Sequence, residues 1–512
     1  MSYREYPPAG PLLIGYDPEC VLEKNHLARF VERIVEESLD VTPRRSQVGN
    51  SPFNPKLLVK VLLYGYSTGL RSSRQLEKQC DENLAYRYLT RGETPSYRTL
   101  CSARVSLRTE IELCWQGMFV VADELGIKRL GRLDLDSTKI KADVSKDSVV
   151  NRSDFEPSLR KLKEILAEAQ SQDDQEASEG YAGQTVLSKS VGDDHMREVL
   201  RRVRKIVHAE KEGTEPKPAK ALVLGPKTLP RVEAAVDVLT EALSGERKHV
   251  SLTDPDAPMM GEGRHKKIME CHAFEVSVDN GLLVCAQTSQ SAADNGRLLG
   301  LVEGAKGNEP DGITHVTADS GYFGSDNIVK LDNAGIDTCI LDATTASELH
   351  KGVPVGSSRP ETSSEIALAY DAGRNCYVCG QGNVLEYKRT EKPKGQTVAV
   401  YRAKSDCTDC PLKDRCMTHQ VAKRRVLKVG VNHEQVKSLM ARFRLPEHLK
   451  RYNDRNKNVE TIFAFCRTIL NFRHWMLRGK EKIAAEAALL ASAYQLRKLH
   501  AAVRTQSNAQ AA

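Results

Sequence analysis

Apolar residues recur at helical spacing along the first quarter of the chain. In LARFVERIVEESL, Leu27, Phe30, Val31 and Ile34 fall on one face, which predicts a short amphipathic helix. Asn54 is placed to cap a second helix, and Pro55 suits its first position. Leu57, Leu58, Val61 and Leu62 form its apolar face, and Gly69 can end it. Further helices are expected after Ser73 and from Ser96 to about Glu124. The period changes at Arg132, where Leu133 and Leu135 alternate with Asp134 and Asp136, so both acids share a strand face. Ser137 and Thr138 read as a turn, with Ile140, Ala142 and Val144 in a second strand. Residues 151–250 return to helices, striped by Leu159, Leu162, Ile165 and Leu166, then by Met196, Val199, Leu200, Val203 and Val207. SQDDQEASEGYAGQ and GTEPKPAK read as polar linkers. Strands are expected at Ala273–Val278 and Leu282–Gln287, joined by the turn Asp279-Asn280-Gly281. Others are expected at Thr314–Ala318, which leads into Asp319, and at Thr338–Leu341. Helices are expected around Leu298–Val302 and over 325–334. The tail, 506–512, reads as disordered.

At 512 residues the chain exceeds one usual core, so two or three domains are expected. Its 40% hydrophobic and 28% charged content fits a soluble globular protein. No apolar run reaches the roughly 18 residues that a membrane span needs. MSYREYPPAGPLL lacks the basic-then-apolar order of a secretory signal, so a cytoplasmic protein is expected. A net charge of +7 is modest for this length and does not by itself establish nucleic-acid binding. Clustering says more. Lys423, Arg424, Arg425 and Lys428 form one basic patch, and Arg467, Arg473, Arg478, Lys480 and Lys482 another. Arg264, His265, Lys266 and Lys267 form a third beside Gly261 and Gly263. Each suits phosphate neutralisation, and each also suits a solvated surface.

Three acids stand in different settings: Asp136 in GRLDLDSTKIKAD, Asp319 in THVTADSGYFGSDN, and Glu460 in the basic, helix-patterned YNDRNKNVETIFAFCR. Singly, each reads as a turn cap or a solvent-facing helix residue. Carboxylates gathered at strand ends and on a helix can hold two divalent cations, which drive in-line displacement at phosphorus. Mg²⁺, or Mn²⁺, two per active site, is the expected cofactor. Asp134 competes with Asp136 on the same face, and the border of the expected turn favours Asp136. The basic surroundings point to double-stranded DNA as the phosphodiester.

The 13 cysteines do not suggest a disulfide framework in a cytosolic chain. Cys20, Cys80, Cys101, Cys114, Cys271, Cys285, Cys339 and Cys466 are scattered, several in apolar surroundings that suit small core residues. Cys376-Tyr-Val-Cys379 and Cys407-Thr-Asp-Cys410 are two Cys-x-x-Cys pairs whose spacing allows one structural Zn²⁺. A hairpin must fill the gap between them. Cys416 and His419 stand by as substitute ligands, and unmetallated thiols are the plainer alternative.

These motifs together resemble a family. NPKLLVKVLLYGYSTGLRSSRQLEKQC with TPSYRTL, then LDLDSTKIKAD, ADSGYFGSDN, and the run Tyr452, Arg455, Val459, Glu460, Phe463 followed by HWMLRGKEK, occur in the order of bacterial insertion-sequence transposases of the DDE type. The resemblance is to the group with a cysteine-rich insertion before the final Glu. It implies an α/β fold: a ribonuclease H-like catalytic core over 130–345 and 430–500, with a helical insertion at 151–250. A zinc-ribbon-like, cysteine-rich insertion would occupy 346–429. An N-terminal all-helical domain, 1–125, would bind DNA or dimerise. Asp136, Asp319 and Glu460 would be the catalytic acids. The implied activity is binding of terminal inverted repeats, cleavage to free 3′-hydroxyls, and their joining to target DNA by a homo-oligomer assembled on DNA. Arg455, five residues before Glu460, and Arg467, seven after, would grip phosphates, as would Lys423, Arg424 and Arg425. Relatives often carry Lys where Arg467 stands, and a second basic residue where Asn456 stands. A metal-dependent nuclease without strand transfer, and a non-catalytic zinc-containing DNA-binding protein, are the alternatives.

Overall fold

The computed structural model describes residues 22–40, 52–178, 194–215, 224, 228–262, 267–291, 293–355, 368–393, 397–417 and 421–511. Cys20, the patch residues Arg264, His265 and Lys266, and His419 lie outside them, as do parts of both polar linkers.

The N-terminal helices are α1 (Leu27–Ser38), α2 (Pro55–Ser67), α3 (Ser73–Glu82), α4 (Leu84–Thr90), α5 (Tyr97–Ser106) and α6 (Arg108–Glu124). Asn54 caps α2 by accepting from the Lys56 amide at 2.9 Å, with Pro55 in the first turn. The single helix expected from Ser96 to Glu124 is two helices, broken at Leu107.

The mixed α/β part begins with β1 (Arg132–Lys141), followed by β2 (Val149–Asn151), α7 (Phe155–Ser178), α8 (Asp194–Glu212), α9 (Leu229–Ser244) and β3 (His249–Ser251). The expected turn at Ser137 and Thr138 is absent. β1 runs straight through them because its antiparallel partner pairs from Asp134↔Val278 as far as Lys141↔Cys271. Helices α7–α9 enclose a small core of their own, including Leu162, Val199, Val203 and Leu239, as the stripes of the 151–250 block suggested.

β4 (Met259–Glu262), β5 (Lys267–Asp279) and β6 (Leu282–Ser289) follow, then α10 (Leu298–Lys306), β7 (His315–Ala318), α11 (Ser325–Asn333), β8 (Asp337–Ile340) and α12 (Ala343–Lys351). β4 and β6 pair with successive stretches of β5, and the sheet continues β5-β1-β7-β8. The first pairings are antiparallel, whereas β1-β7 and β7-β8 are parallel. The β5-β6 hairpin turns at Asn280 (φ 47°) and Gly281 (φ 73°), two left-handed residues in succession, as a tight two-residue hairpin turn requires.

The cysteine-rich segment is an antiparallel sheet of β9 (Leu368–Asp371), β10 (Cys376–Cys379), β11 (Val384–Glu391), β12 (Val398–Ala403) and β13 (Val426–Gly430), with the one-turn helix α13 (Lys413–Cys416) before β13. The β11-β12 hairpin fills the gap between the two cysteine pairs. The chain ends in α14 (His433–Phe443), α15 (Pro446–Thr468) and α16 (Lys480–Ala511). The expected disordered tail is corrected: residues 506–511 are the last turns of α16.

α16 packs against α2, α6 and β6, and α15 lies across β1, β7 and β8. One apolar core therefore runs from Leu27 through Leu135 and Val316 to Leu499, and the N-terminal helices share it rather than forming a body of their own. The joint also holds charge. Glu486, fully buried on α16, accepts from the Met476 and Leu477 amides at 2.9 and 3.1 Å. Arg71 lies 3.4 Å away, and Tyr66 donates to the carboxylate at 3.3 Å. Among the described residues no helix is long and apolar enough to cross a membrane.

A second buried acid yields a test. Glu309 follows α10 beside Asp279 at the end of β5. Burial, then the Asp279 charge, pushes its carboxyl from 4.5 up to about 8, against the pull of Arg129. Between those values the folded chain keeps a proton that the unfolded chain has lost. Stability should therefore be highest below the lower value and fall as pH rises towards the higher one. Glu309→Gln should be nearly neutral at pH 4.5 and stabilise by about 1–3 kcal/mol at pH 8. Urea unfolding at the two pH values measures this, and equal effects at both would remove Glu309 as the source.

Candidate active site

The parallel register between β1 and β7 sets the site. Its last pair is Leu135↔Ala318, so the next residue on each strand is an aspartate: Asp136 and Asp319. β7 ends there, and Asp319 opens a single 3₁₀ turn, Ser320–Tyr322. β1 continues, so Asp136 sits mid-strand rather than at the strand end expected from sequence. Asp134, the rival acid, lies further back along β1. Its Oδ2 accepts from Asn458 Nδ2 at 2.6 Å, and burial is the main cause that pushes its carboxyl up to about 6.

α15 covers this edge with a buried stripe of Tyr452, Arg455, Val459, Ile462, Phe463 and Cys466. Arg455 turns inward, its side chain 4% exposed. Its Nη1 lies 3.0 Å from Asp136 Oδ2 and donates to the Leu135 carbonyl at 3.2 Å; its Nη2 lies 3.7 Å from Asp319 Oδ1. Tyr452 donates its hydroxyl to that same Asp319 oxygen at 3.0 Å. Arg455, expected to grip phosphate, here faces two acids beneath the helix. Burial raises the Asp136 carboxyl above its usual range, while Arg455 and the Ser137 amide, which donates to Oδ1 at 2.8 Å, pull it back. Two carboxylates held side by side and partly shielded from water repel unless a cation offsets them, and here the buried guanidinium is that cation.

Glu460 lies on the solvent-facing side of α15, exposed and without a hydrogen bond or ion pair among the described residues. Arg467, two turns on, is also exposed and donates from Nη2 to Thr138 Oγ1 at 2.7 Å, which places it over β1 one alternation beyond Asp136. Asp136 and Asp319 are thus brought together, and Glu460 shares the helix that covers them. Among the described residues no three His, Cys, Asp or Glu side chains stand close enough to hold a metal ion as they are.

Sequence reasoning missed Asp294, in the loop between β6 and α10. It accepts from Ser137 Oγ at 3.2 Å, next to Asp136; burial and then the Asp319 charge are causes that raise its carboxyl. It also explains the glycine of ADSGY, because a Cβ on Gly321 would come within 2.8 Å of Asp294 Oδ2. In sequence Asp294 looks like any loop acid in SAADNG.

Lys423 and Arg424 are exposed, as a phosphate contact requires. Arg425 is not: it is 6% exposed, and its guanidinium meets Cys416 Sγ. Lys428 pairs with Glu391 at 2.7 Å, and Arg478 with Asp143 at 2.9 Å. Cys379, Cys407, Cys410 and Cys416 line one cavity of about 450 Å³, and Cys376 does not line it. Cys376 and Cys379 are three residues apart on β10, hence on opposite faces of that strand.

Two protein families match the chain. The Transposase domain (DUF772) matches residues 17–106, over α1–α5, and the Transposase DDE domain matches 378–500, from the end of β10 into α16. Both matched families are transposase domains, one at each end of the chain. The two matches, in this order, bear out the resemblance to insertion-sequence transposases of the DDE type. The second match contains Tyr452, Arg455, Glu460 and Arg467, while Asp136 and Asp319 lie between the two matched ranges. No curated protein sequence matches the chain.

The bridge of Arg455 gives a measurable consequence. Arg455→Met should destabilise the chain by about 1–2 kcal/mol at neutral pH, since both half-exposed aspartates lose a counter-charge that water only partly replaces. The loss should shrink as pH falls and Asp136 takes up a proton. Adding Asp136→Asn should restore part of it. Denaturant unfolding of the single and double variants measures the coupling; independent, additive effects would show that the bridge contributes nothing.

Proposed function

We propose that the chain is an active DNA transposase whose catalytic acids are Asp136, Asp319 and Glu460. The observation that carries this reading is the juxtaposition of Asp136 and Asp319 at the end of the β1-β7 pairing, beneath the helix that bears Glu460. The order β6-β5-β1-β7-β8, antiparallel at first and then parallel, supports reading the sheet as a ribonuclease H-like core. On this reading β9–β13 form the cysteine-rich insertion within it.

The acids suit a hard dication, because oxygen donors from two strands converge at one sheet edge. Asp136, Asp319 and Glu460 would hold Mg²⁺ or Mn²⁺, which when bound in pairs activates the attacking hydroxyl and stabilises the departing oxygen. The chain's own groups do the rest. Arg455 keeps the two aspartates side by side without a bound cation, and Tyr452 fixes one Asp319 oxygen and leaves the other open. Arg467, held over Thr138, would take a phosphate beside the scissile bond. Lys423 and Arg424 would bind the DNA backbone further out, making affinity fall with salt. The substrate would be the element's terminal inverted repeats, cut to free 3′-hydroxyls that are then joined to target DNA. Two ends must be handled together, so a homo-oligomer would assemble on DNA, in the cytoplasm at the nucleoid.

The test pairs cleavage and joining assays with gel-shift on DNA that carries the element's ends. Asp136→Ala, Asp319→Ala and Glu460→Ala should each lose at least about 100-fold in cleavage while end binding persists. Asp134→Ala should be much milder. Near-normal cutting by any of the three removes that residue from the site, and cutting without joining makes the protein a nuclease.

Arg467 has a separate prediction. Arg467→Ala should slow strand transfer about tenfold and weaken end binding, and Arg467→Lys should recover part of both. Rates at fixed salt decide it. Equal rates for wild type and Arg467→Ala would leave an ordinary surface arginine.

A further inference from the structure

We propose that Cys379, Cys407, Cys410 and Cys416 bind one structural zinc ion, with Cys376 excluded from the site. Three elements bring the four thiols to one cavity: Cys379 ends β10, Cys407 and Cys410 follow β12, and Cys416 closes α13. The backbone there folds in tight turns, with the Cys410 amide donating to the Cys407 carbonyl at 3.3 Å and the Lys413 amide to the Cys410 carbonyl at 3.0 Å. Donors aim at the sulfurs. The Asn383 amide donates to Cys379 Sγ at 3.3 Å, Asn383 Nδ2 lies 3.6 Å from Cys407 Sγ, and the Arg425 guanidinium meets Cys416 Sγ. Such contacts orient sulfurs in the way that supporting donors orient the ligands of a metal. Cys376, 4% exposed, sits on the other face of β10, paired across the ladders with Asp371 and Glu386.

The thiols are not yet at bonding distance. Rotation between staggered χ1 wells moves a sulfur by about 3 Å, and such rotation is the adjustment that binding would call for. On binding, each thiol releases its proton to solvent and forms one sulfur–zinc bond. Four thiolates leave no position for a reacting water, so the ion would brace the loop between β12 and β13 against the end of β10 rather than react. This inference does not depend on the catalytic reading.

The test uses the full chain, reduced, loaded with Zn²⁺ and freed of excess metal. Wild type and Cys376→Ser should each retain about one zinc. Cys379→Ser, Cys407→Ser, Cys410→Ser and Cys416→Ser should each lose most of it. Because a variant can lose metal by unfolding, Co²⁺ is titrated in parallel and the thiolate-to-cobalt charge-transfer absorption is read beside circular dichroism. Its intensity should drop by about a quarter or more in a folded Cys416→Ser chain and stay unchanged in Cys376→Ser. The inference is overturned by a reduced wild type that takes up neither metal. It is also overturned by an unchanged cobalt spectrum in Cys416→Ser, or by loss of the spectrum in a folded Cys376→Ser.

Discussion

The parallel pairing of β1 with β7 is the constraint on which the rest of the site depends. Four consecutive pairs, from Arg132↔His315 to Leu135↔Ala318, bury Leu133, Leu135, Val316 and Ala318 on the core side. That leaves Asp136 and Asp319 side by side at the end of the ladder. A slip of one residue would send the apolar set to the wrong face, so the packing that stabilises the strands also fixes the acids' relative position. The chemistry inherits its geometry from hydrophobic burial, which no change confined to the acids would disturb.

Holding two half-buried carboxylates side by side has a cost, and α15 offsets it. Arg455 satisfies both acids and a β1 carbonyl, and Tyr452 binds Asp319 on the same stripe that carries Val459, Ile462 and Phe463 into the core. The helix is thus pinned by apolar contacts along its length and by charge at one point. Glu460 rides on it just beyond that point. The same logic recurs at the other joint, where Arg71 and Tyr66 meet Glu486 and tie the N-terminal helices to α16. At the Glu486 joint removing one partner would strand a buried charge, a larger loss than the pair's net contribution.

Much of this was legible in the sequence, because the signals were local. The Asn54-Pro55 start of α2, the Asp279-Asn280-Gly281 hairpin and the alternation from Arg132 each depend on a few neighbouring residues, and each element is there. The failures were non-local. Ser137 and Thr138 look like a turn until β5 is known to pair past them. Arg455 and Arg425 look like surface cations until α15 and β13 are docked, when both prove buried. Asp294 carried no pattern at all; its role by Ser137 and Gly321 exists only in three dimensions. The Cys376-Cys379 spacing suggested a shared ligand pair, but the two cysteines are the ends of a four-residue strand, which turns their thiols to opposite faces, and only the ladder shows that this segment is a strand.

Arg455 also bears on how Glu460 can act. The guanidinium offsets Asp136 and Asp319 but leaves Glu460 in solvent, where water screens it. Bringing a third carboxylate towards the first two adds repulsion that one cation cannot cancel, and in a partly buried setting the added cost is several kcal/mol. The resting chain avoids that cost by keeping Glu460 on the solvent side. Closer approach therefore demands additional positive charge at the sheet edge. The arrangement of the three acids is thus graded by charge: two are assembled in advance by the fold, and the third is carried on a helix already anchored beside them.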